Sequence, residues 1–275
     1  MRLVSENLNI LQIAESGQCF RMNKIDENKY NLIAYGRYLE IIQSGRNEFE
    51  LSCSEEEYQQ VWRNYFDLDY DYGSIINALT EGEDEFLKSA AEYGNGIRIL
   101  QQEPFEMLIS FIISQNKNIP SIKNCIERIC EKYGDRNVNP ENNVVYYTFP
   151  LPKQLVNATQ EELRELKLGY RDEYILGAAR AVVEGNIDLN ALKACSHEEA
   201  VVILKGLKGI GDKVANCVSL YGLHHIEAFP IDVWISKVLV EIYNNNFNVD
   251  LYKGYAGIIQ QYMFYYIRAV NGARA

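Results

Sequence analysis

The spacing of apolar and polar positions divides the chain at about residue 54. Before that residue, short stretches alternate or run apolar as β-strands do, with turn-forming residues between them. The predicted strands are YNLIAYG (30–36), RYLEIIQ (37–43) and EFELSC (48–53), and the predicted turns are 26–28 and 44–47. After residue 54 the apolar positions recur at helical spacing. The pattern therefore predicts an antiparallel sheet followed by a mostly helical body.

Helix starts carry a capping-box pattern, in which a serine or threonine is followed three residues later by glutamate. The pattern occurs at Ser54, Thr159 and Ser196, and NPENN (139–143) is the clearest irregular connection. We therefore predict an α+β fold with two domains. Residues 1–95 form an N-terminal antiparallel β-sheet domain with flanking helices, and residues 96–275 form a helical domain that includes a C-terminal helix over 250–270.

Composition limits the possible classes of protein. Of the 275 residues, 47% are hydrophobic and 24% are charged, as in ordinary soluble globular proteins. No apolar stretch approaches the roughly 20 residues of a membrane span, and the N-terminal residues lack a secretory pattern. We therefore expect an intracellular monomer, in the cytoplasm or nucleoid, with no membrane partner.

Cysteines and charge exclude further classes. The cysteines are scattered, so they form neither a disulfide framework nor a four-cysteine zinc or iron–sulfur pattern. The formal net charge of −11 opposes nucleic-acid binding, because cations must neutralise phosphates, and alone it favours a small-molecule enzyme. A local basic face would still permit DNA binding.

A glycine-rich hairpin is predicted within GLKGIGDKVANCVSLYG (206–222). One helix covers 197–208, GIG forms the turn, and a second helix covers 212–223. Free amides at the start of the second helix form a candidate anion site. Positive charge is added there by Lys205, Lys208 and Lys213. The alternative is a simple packing corner between two helices.

Asp232 follows Pro230 at a position where a helix N-cap belongs. The helix dipole and the free amides there would hold its carboxyl group ionised. Taken alone, Asp232 is interpreted as a cap. Taken with Lys213, it forms a lysine–aspartate pair.

The hairpin and this aspartate, LKGIGDKVANCV (207–218) and FPIDVWI (229–235), resemble the helix-hairpin-helix DNA glycosylases. Further segments resemble the 8-oxoguanine DNA glycosylases, in that family's order and over most of the chain. They are SGQCFRM (16–22), FIISQNKNI (111–119), LKLGYRDEYI (166–175) and YAGIIQQYMF (255–264). The resemblance implies a bifunctional enzyme that excises 8-oxoguanine from duplex DNA and then cleaves the abasic strand by β-elimination.

The resemblance makes Lys213 the nucleophile that attacks C1′ and forms a Schiff base. Because only a neutral amine attacks, we expect burial to lower the pKa of Lys213. Asp232 would stabilise the positive charge that develops on the sugar as the base leaves.

The resemblance also assigns a pocket for the flipped base. The carbonyl of Gly17 would accept a hydrogen bond from N7–H, which 8-oxoguanine has and guanine lacks. Cys217 and Phe264 would stack on the lesion, and Gln260 would bind its pairing edge. Without the resemblance, Gly17 is interpreted as a strand-entry turn.

On the opposite strand, Asn116 would fill the gap, Tyr170 would act as a wedge and Arg171 would hold cytosine. Two positions depart from the family pattern: Ser121 replaces a second cytosine-binding arginine, and Trp234 replaces a phosphate-binding histidine. We therefore predict weakened selectivity for cytosine opposite the lesion.

The hairpin would bind phosphate through Gly209 and Gly211. Backbone carbonyls would hold a structural monovalent or calcium ion, at Lys205, Leu207 and Ile210. No cofactor is expected to be required for catalysis. Two alternatives remain: a non-catalytic helix-hairpin-helix module that binds DNA, and a monofunctional alkyl-base glycosylase, which needs only the aspartate.

Overall fold

The computed structural model describes residues 1–272, in which an antiparallel sheet near the N terminus precedes a helical body. The predicted α+β class is confirmed. The strands of the sheet are β1 (Arg2–Val4), β2 (Met22–Asp26), β3 (Lys29–Ala34), β4 (Arg37–Gln43) and β5 (Glu48–Leu51). They are ordered β1-β5-β4-β3-β2, and every neighbouring pair is antiparallel.

The sheet contains the three predicted strands and two others at its edges. Strand β4 has the predicted bounds, and the turn 44–47 joins it to β5. Strand β1 was not predicted. The predicted turn 26–28 joins β2 to β3, but β2 was not named as a strand, because three of its residues are exposed and its sequence lacks apolar alternation. One face of the sheet packs on a core that includes Trp62, Tyr65 and Phe66.

Helices form most of the remaining chain. They are α1 (Ile10–Glu15), α2 (Glu55–Glu57), α3 (Arg63–Tyr65), α4 (Tyr72–Thr80), α5 (Glu85–Tyr93), α6 (Pro104–Ser114), α7 (Ile119–Tyr133), α8 (Pro152–Leu155), α9 (Gln160–Glu165), α10 (Arg171–Val183), α11 (Leu189–Ala194), α12 (His197–Lys205), α13 (Asp212–Tyr221), α14 (Val233–Glu241) and α15 (Ala256–Val270). A π-helical turn, Tyr58–Trp62, joins α2 to α3, and a ribbon of β6 (Arg136–Val138) and β7 (Val145–Tyr147) brackets the irregular 139–143.

The predicted capping boxes form at two helix starts. The Thr159 hydroxyl accepts from the Glu162 amide at 3.2 Å, and the Glu162 carboxylate accepts from the Thr159 amide at 2.9 Å. Ser196 and Glu199 make the same reciprocal pair. At Ser54 only the first half forms, since Glu57 accepts instead from the Trp62 indole.

The C-terminal helix is shorter than predicted. It begins at Ala256 rather than at 250, because Gly254 adopts a φ of +94° that interrupts the helix, and a 3₁₀ turn covers Val249–Tyr252. Its buried face, with α6 and α13, contributes to the helical core. The boundary between 95 and 96 stays a prediction, and residues 273–275 of the second domain lie outside the described residues.

The structure also bears on the cysteines and on membrane insertion. All six cysteines are free thiols, as expected from their scattered positions. None of the helices in residues 1–272 has the length and hydropathy needed to cross a membrane.

Candidate active site

The hairpin is formed by α12, the turn 206–211 and α13. Gly209 has a φ of +85°, and a Cβ atom there would overlap the ring of Tyr174, so only glycine fits. The Gln115 side-chain amide donates to the Gly209 carbonyl at 3.2 Å. Gly211 is the N-cap of α13. The turn is therefore fixed against α10 and the segment after α6.

Less positive charge is available at the hairpin than its sequence suggested. Lys205 pairs with Asp212, and the Lys208 ammonium lies 2.6 Å from a Glu173 carboxylate oxygen. Lys213 makes no ion pair with any residue of 1–272. Of the predicted cationic cluster, Lys213 is the member whose charge no ion pair in the described structure offsets.

Lys213 is the second residue of α13 and is half-buried. Its Nζ lies 5.3 Å from the centroid of the Phe111 ring and 3.5 Å from the Ser114 hydroxyl. Both partners are on α6, so the amine is held between two helices rather than extended into solvent.

Asp232 caps α14, as expected, through Oδ1, which accepts from the amides of Trp234 at 3.0 Å and Ile235 at 2.9 Å. Burial nevertheless raises the pKa of Asp232, against the opposing effects of these amides, Lys213 and Arg268. Desolvation is the largest of these effects, and the expectation that the cap holds Asp232 ionised stays a prediction. Lys213 lies close enough for its charge to oppose the rise in the pKa of Asp232.

The predicted base pocket brings the N-terminal segment against α15. Gly17 has a φ of +76°, and a Cβ atom there would lie 3.2 Å from Cε1 of Phe264. The Arg268 guanidinium lies 5.1 Å from the centroid of the same ring, and its charge acts on Asp232. Gly17, Phe264, Lys213 and Asp232 thus belong to one cluster.

Cys217 and Gln260 join this cluster from α13 and α15. Burial raises the pKa of the Cys217 thiol, and the neighbouring Lys213 opposes the rise. Gln260 is 3% exposed. Its amide donates to the Pro230 carbonyl at 3.1 Å, and its oxygen lies 3.4 Å from the Tyr221 hydroxyl. Gln260 would exchange these partners in order to bind a base edge.

The residues predicted to contact the opposite strand lie next to one another, but they are not equally exposed to solvent. Asn116, at a φ of +51°, donates to the hydroxyl of Tyr170 at 3.3 Å, and Tyr170 is 52% exposed. Arg171 is only 6% exposed, lies 4.5 Å above the Tyr170 ring and donates to the Leu168 and Gln115 carbonyls. In this conformation its guanidinium is directed into the protein.

The two departures from the family pattern lie at helix starts. Ser121 is in the first turn of α7, where its amide donates to the Asn118 cap at 2.9 Å. Trp234 is in the first turn of α14 and donates its amide to Asp232.

The backbone carbonyls of Lys205, Leu207 and Ile210, which we predict to hold an ion, are oxygen donors of the type that hard cations prefer. No donor within residues 1–272 hydrogen-bonds the carbonyls of Lys205 or Ile210, and Leu207 accepts one bond from the Ile210 amide at 3.2 Å. A carbonyl has a second lone pair, and oxygen ligands suit monovalent and calcium ions. The ion stays a prediction.

Sequence reasoning missed Phe111, Ser114 and Arg268, which surround the lysine and the aspartate. Phe264 and Arg268 are four residues apart on α15, a spacing that could have placed both at the site. Nothing in the sequence distinguished Phe111 from core packing. Two surface cavities, of about 340 and 470 Å³, open at the sheet and involve none of these residues.

Comparison with known families agrees with this arrangement. Residues 1–108 match the model described as 8-oxoguanine DNA glycosylase, N-terminal domain. Residues 109–251, more than half of the chain, match the model described as HhH-GPD superfamily base excision DNA repair protein. The chain belongs to the 8-oxoguanine DNA glycosylase family of this superfamily. The family named from the sequence is thereby confirmed.

One curated relative of this family matches two thirds of the chain. An N-glycosylase/DNA lyase of Saccharomyces cerevisiae is 35% identical over 196 residues, which are 67% of this chain and 51% of the relative. The chain therefore spans about half the length of that curated relative.

Two solved structures of the family are similar over almost the whole chain. MBOgg1 in complex with a low affinity DNA ligand is 35% identical, with a TM-score of 0.91 over 98% of this chain and 95% of that one. The Clostridium acetobutylicum 8-oxoguanine glycosylase/lyase, in complex with DNA containing cytosine opposite 8-oxoG, is 34% identical. Its TM-score is 0.90, over 97% of this chain and 93% of that one.

Proposed function

We propose that this protein excises 8-oxoguanine from duplex DNA and then cleaves the abasic strand, as a bifunctional N-glycosylase and DNA lyase. The observation that carries the proposal is the cluster in which the amine of Lys213, held against Phe111 and Ser114, acts on the buried Asp232 carboxylate close to Gly17 and Phe264. The names of the similar structures, one of which is an 8-oxoguanine glycosylase/lyase, support the same substrate.

Lys213 begins the reaction. Its amine forms a bond to C1′ of the flipped nucleotide as the bond from C1′ to the base breaks, and Asp232 stabilises the positive charge that develops on the sugar. Ring opening gives an imine between Lys213 and C1′. Loss of a proton from C2′ then expels the 3′-phosphate, which is the lyase step. A monofunctional alkyl-base glycosylase would have no use for the lysine.

Gly17 supplies the chemical discrimination. Its carbonyl oxygen accepts no hydrogen bond from any residue of 1–272, so it is available to the N7–H of 8-oxoguanine. Guanine presents a lone pair at N7 and would face this oxygen unfavourably. A difference of about 1–3 kcal/mol is expected from one such buried contact.

Selectivity for the opposite base is weak in this proposal. Arg171 is buried and bonded to backbone carbonyls, and Ser121 is too short to replace the missing arginine. Each good contact to a base discriminates by about 1–3 kcal/mol, so losing one arginine relaxes the preference for cytosine. The enzyme works as an intracellular monomer without a catalytic cofactor.

The proposal is tested by single-turnover kinetics on a duplex with one 8-oxoguanine, measuring base release and strand cleavage separately. Lys213→Gln is expected to bind this duplex and to release no base. Lys208→Gln is the matched control, because it removes a hairpin lysine that pairs with Glu173 outside the cluster. Base release by Lys213→Gln at the wild-type rate would refute the nucleophile assignment.

A further inference from the structure

The two carbonyls that flank Gly17 are each held by a buried glutamine. The Gln261 side-chain amide donates to the Ser16 carbonyl at 2.6 Å, and the Gln102 side-chain amide donates to the Gln18 carbonyl at 2.9 Å. Gln261 is 0% exposed and Gln102 is 4% exposed. The Gly17 carbonyl between them has no donor within residues 1–272. Its neighbours are fixed while it stays open to a ligand.

Tyr221 determines which end of the Gln261 amide faces Ser16. The Tyr221 hydroxyl donates to Oε1 of Gln261, which directs Nε2 towards the Ser16 carbonyl. The Tyr221 ring is stacked on Phe111, with centroids 5.4 Å apart and an interplanar angle of 18°. Phe111 is also the ring beneath Lys213. The orientation of Gln261 therefore depends on Tyr221, which packs on the same Phe111 ring that lies beneath Lys213.

The other side of Gly17 is anchored in the same way. The Gln18 side chain accepts from the Leu100 amide at 2.8 Å and donates to the Arg98 carbonyl at 2.9 Å. It also donates to the Ser16 hydroxyl at 3.0 Å. Gln18 is fully buried, so rotating this segment would leave several buried polar groups without partners, which is costly.

We propose that Gln261, Gln102 and Tyr221 are positioning residues that fix the direction of the Gly17 carbonyl and thereby set the discrimination between 8-oxoguanine and guanine. This inference rests on the proposed function. A glycine peptide rotates more freely than any other, and a hydrogen bond weakens steeply when it is misaligned. The residues that hold Ser16 and Gln18 therefore make the contact with N7–H more selective, because they keep the Gly17 carbonyl aligned with it.

The test compares two substrate bases in single-turnover excision. One is 8-oxoguanine, and the other is 7-deaza-8-oxoguanine, in which a CH₂ group replaces N7–H and removes only the proposed contact. For wild type we expect excision to fall on the order of tenfold with the 7-deaza base. Because both rates are measured on the same protein, their ratio is insensitive to partial loss of folded enzyme.

The variants are Tyr221→Phe, Gln261→Met and Gln102→Met. Tyr221→Phe removes a single oxygen, so it carries the test if a glutamine variant fails to fold. The matched control is Gln12→Met, because Gln12 also joins α1 to the segment after α5, through the Tyr93 carbonyl and the Gly96 amide, both at 2.8 Å. It does not hold a neighbour of Gly17.

We expect the rate ratio to fall about threefold or more towards one in the three variants, as a weakened hydrogen bond requires, and to stay at the wild-type value in Gln12→Met. A ratio unchanged in all folded variants, with both rates lowered equally, would overturn the inference alone. A wild type that excises both bases equally fast would overturn the proposed role of Gly17 and the inference with it.

Discussion

Replacing Gly17 with alanine tests the geometry of the base pocket most sharply. At a φ of +76°, alanine is strained by about 1–2 kcal/mol relative to glycine. The added Cβ would also lie 3.2 Å from Cε1 of Phe264, below the roughly 3.5–4.0 Å of an ordinary carbon–carbon contact. The ring must therefore shift by a few tenths of an ångström, or the Gly17 peptide must rotate.

Gly185→Ala separates the backbone cost from the contact. Gly185 has a φ of +74°, is exposed, and would place its Cβ more than 4 Å from any neighbour. We expect both variants to lower the melting temperature by roughly 2–8 °C, the range for 1–2 kcal/mol in a chain of this size. Only Gly17→Ala should also lose 8-oxoguanine excision, by about tenfold or more.

The assays are thermal unfolding and single-turnover excision on one preparation of each variant. The reasoning would be refuted if Gly17→Ala excised 8-oxoguanine at the wild-type rate while losing no more stability than Gly185→Ala. That result would mean that neither the ring of Phe264 nor the Gly17 peptide contributes to recognition of the base.

Three further predictions concern single side chains. Asp232→Asn keeps an oxygen that can cap α14 but removes the charge, so single-turnover excision should fall about 100- to 1000-fold while the Kd for lesion DNA changes little. Ser121→Arg should sharpen the preference for cytosine when excision is measured with each base opposite the lesion. Burial raises the pKa of Glu106 to about 8, from 4.5. The folded protein therefore holds an extra proton at Glu106 between these values, so the contribution of Glu106 to stability should fall as pH rises from 4.5 to 8. Glu106→Gln should flatten that fall in denaturant unfolding.

Each of these predictions has an outcome that contradicts it. If the Asp232→Asn variant is less stable but excises 8-oxoguanine at the wild-type rate, Asp232 serves only as a helix cap. A wild type that already prefers cytosine by about a hundredfold, some 2.7 kcal/mol, would mean that another residue reads the opposite base. An unchanged pH profile for Glu106→Gln would mean that Glu106 is ionised in the folded protein.

The sequence predicted those parts of the fold that depend on local pattern. Strand β4, the turn 44–47 and the capping boxes at Thr159 and Ser196 follow from alternation and from hydrogen bonds between neighbours in sequence. The edge strand β2 was missed because its outward positions are exposed and polar. The predicted start of the C-terminal helix at 250 was wrong because Gly254, at a φ of +94°, interrupts the helix.

The candidate site residues were predicted from motifs that resemble the glycosylase family, because spacing alone predicts only a hairpin at Lys213 and a helix cap at Asp232. The pairing of Lys208 with Glu173, the inward direction of Arg171 and the contact of Gly17 with Phe264 join segments far apart in the chain. Tertiary packing decides such contacts, and a single sequence without structural context does not specify them.

Mapping the covalent adduct tests the central claim most directly. A duplex with one 8-oxoguanine is incubated with the enzyme and borohydride, which reduces the Schiff base to a stable amine, and the DNA-linked peptide is identified by mass spectrometry. We predict one adduct, on Lys213, formed with the lesion duplex and not with an undamaged one. An adduct on another lysine, or release of 8-oxoguanine with no adduct, would contradict the assignment of Lys213 as the nucleophile.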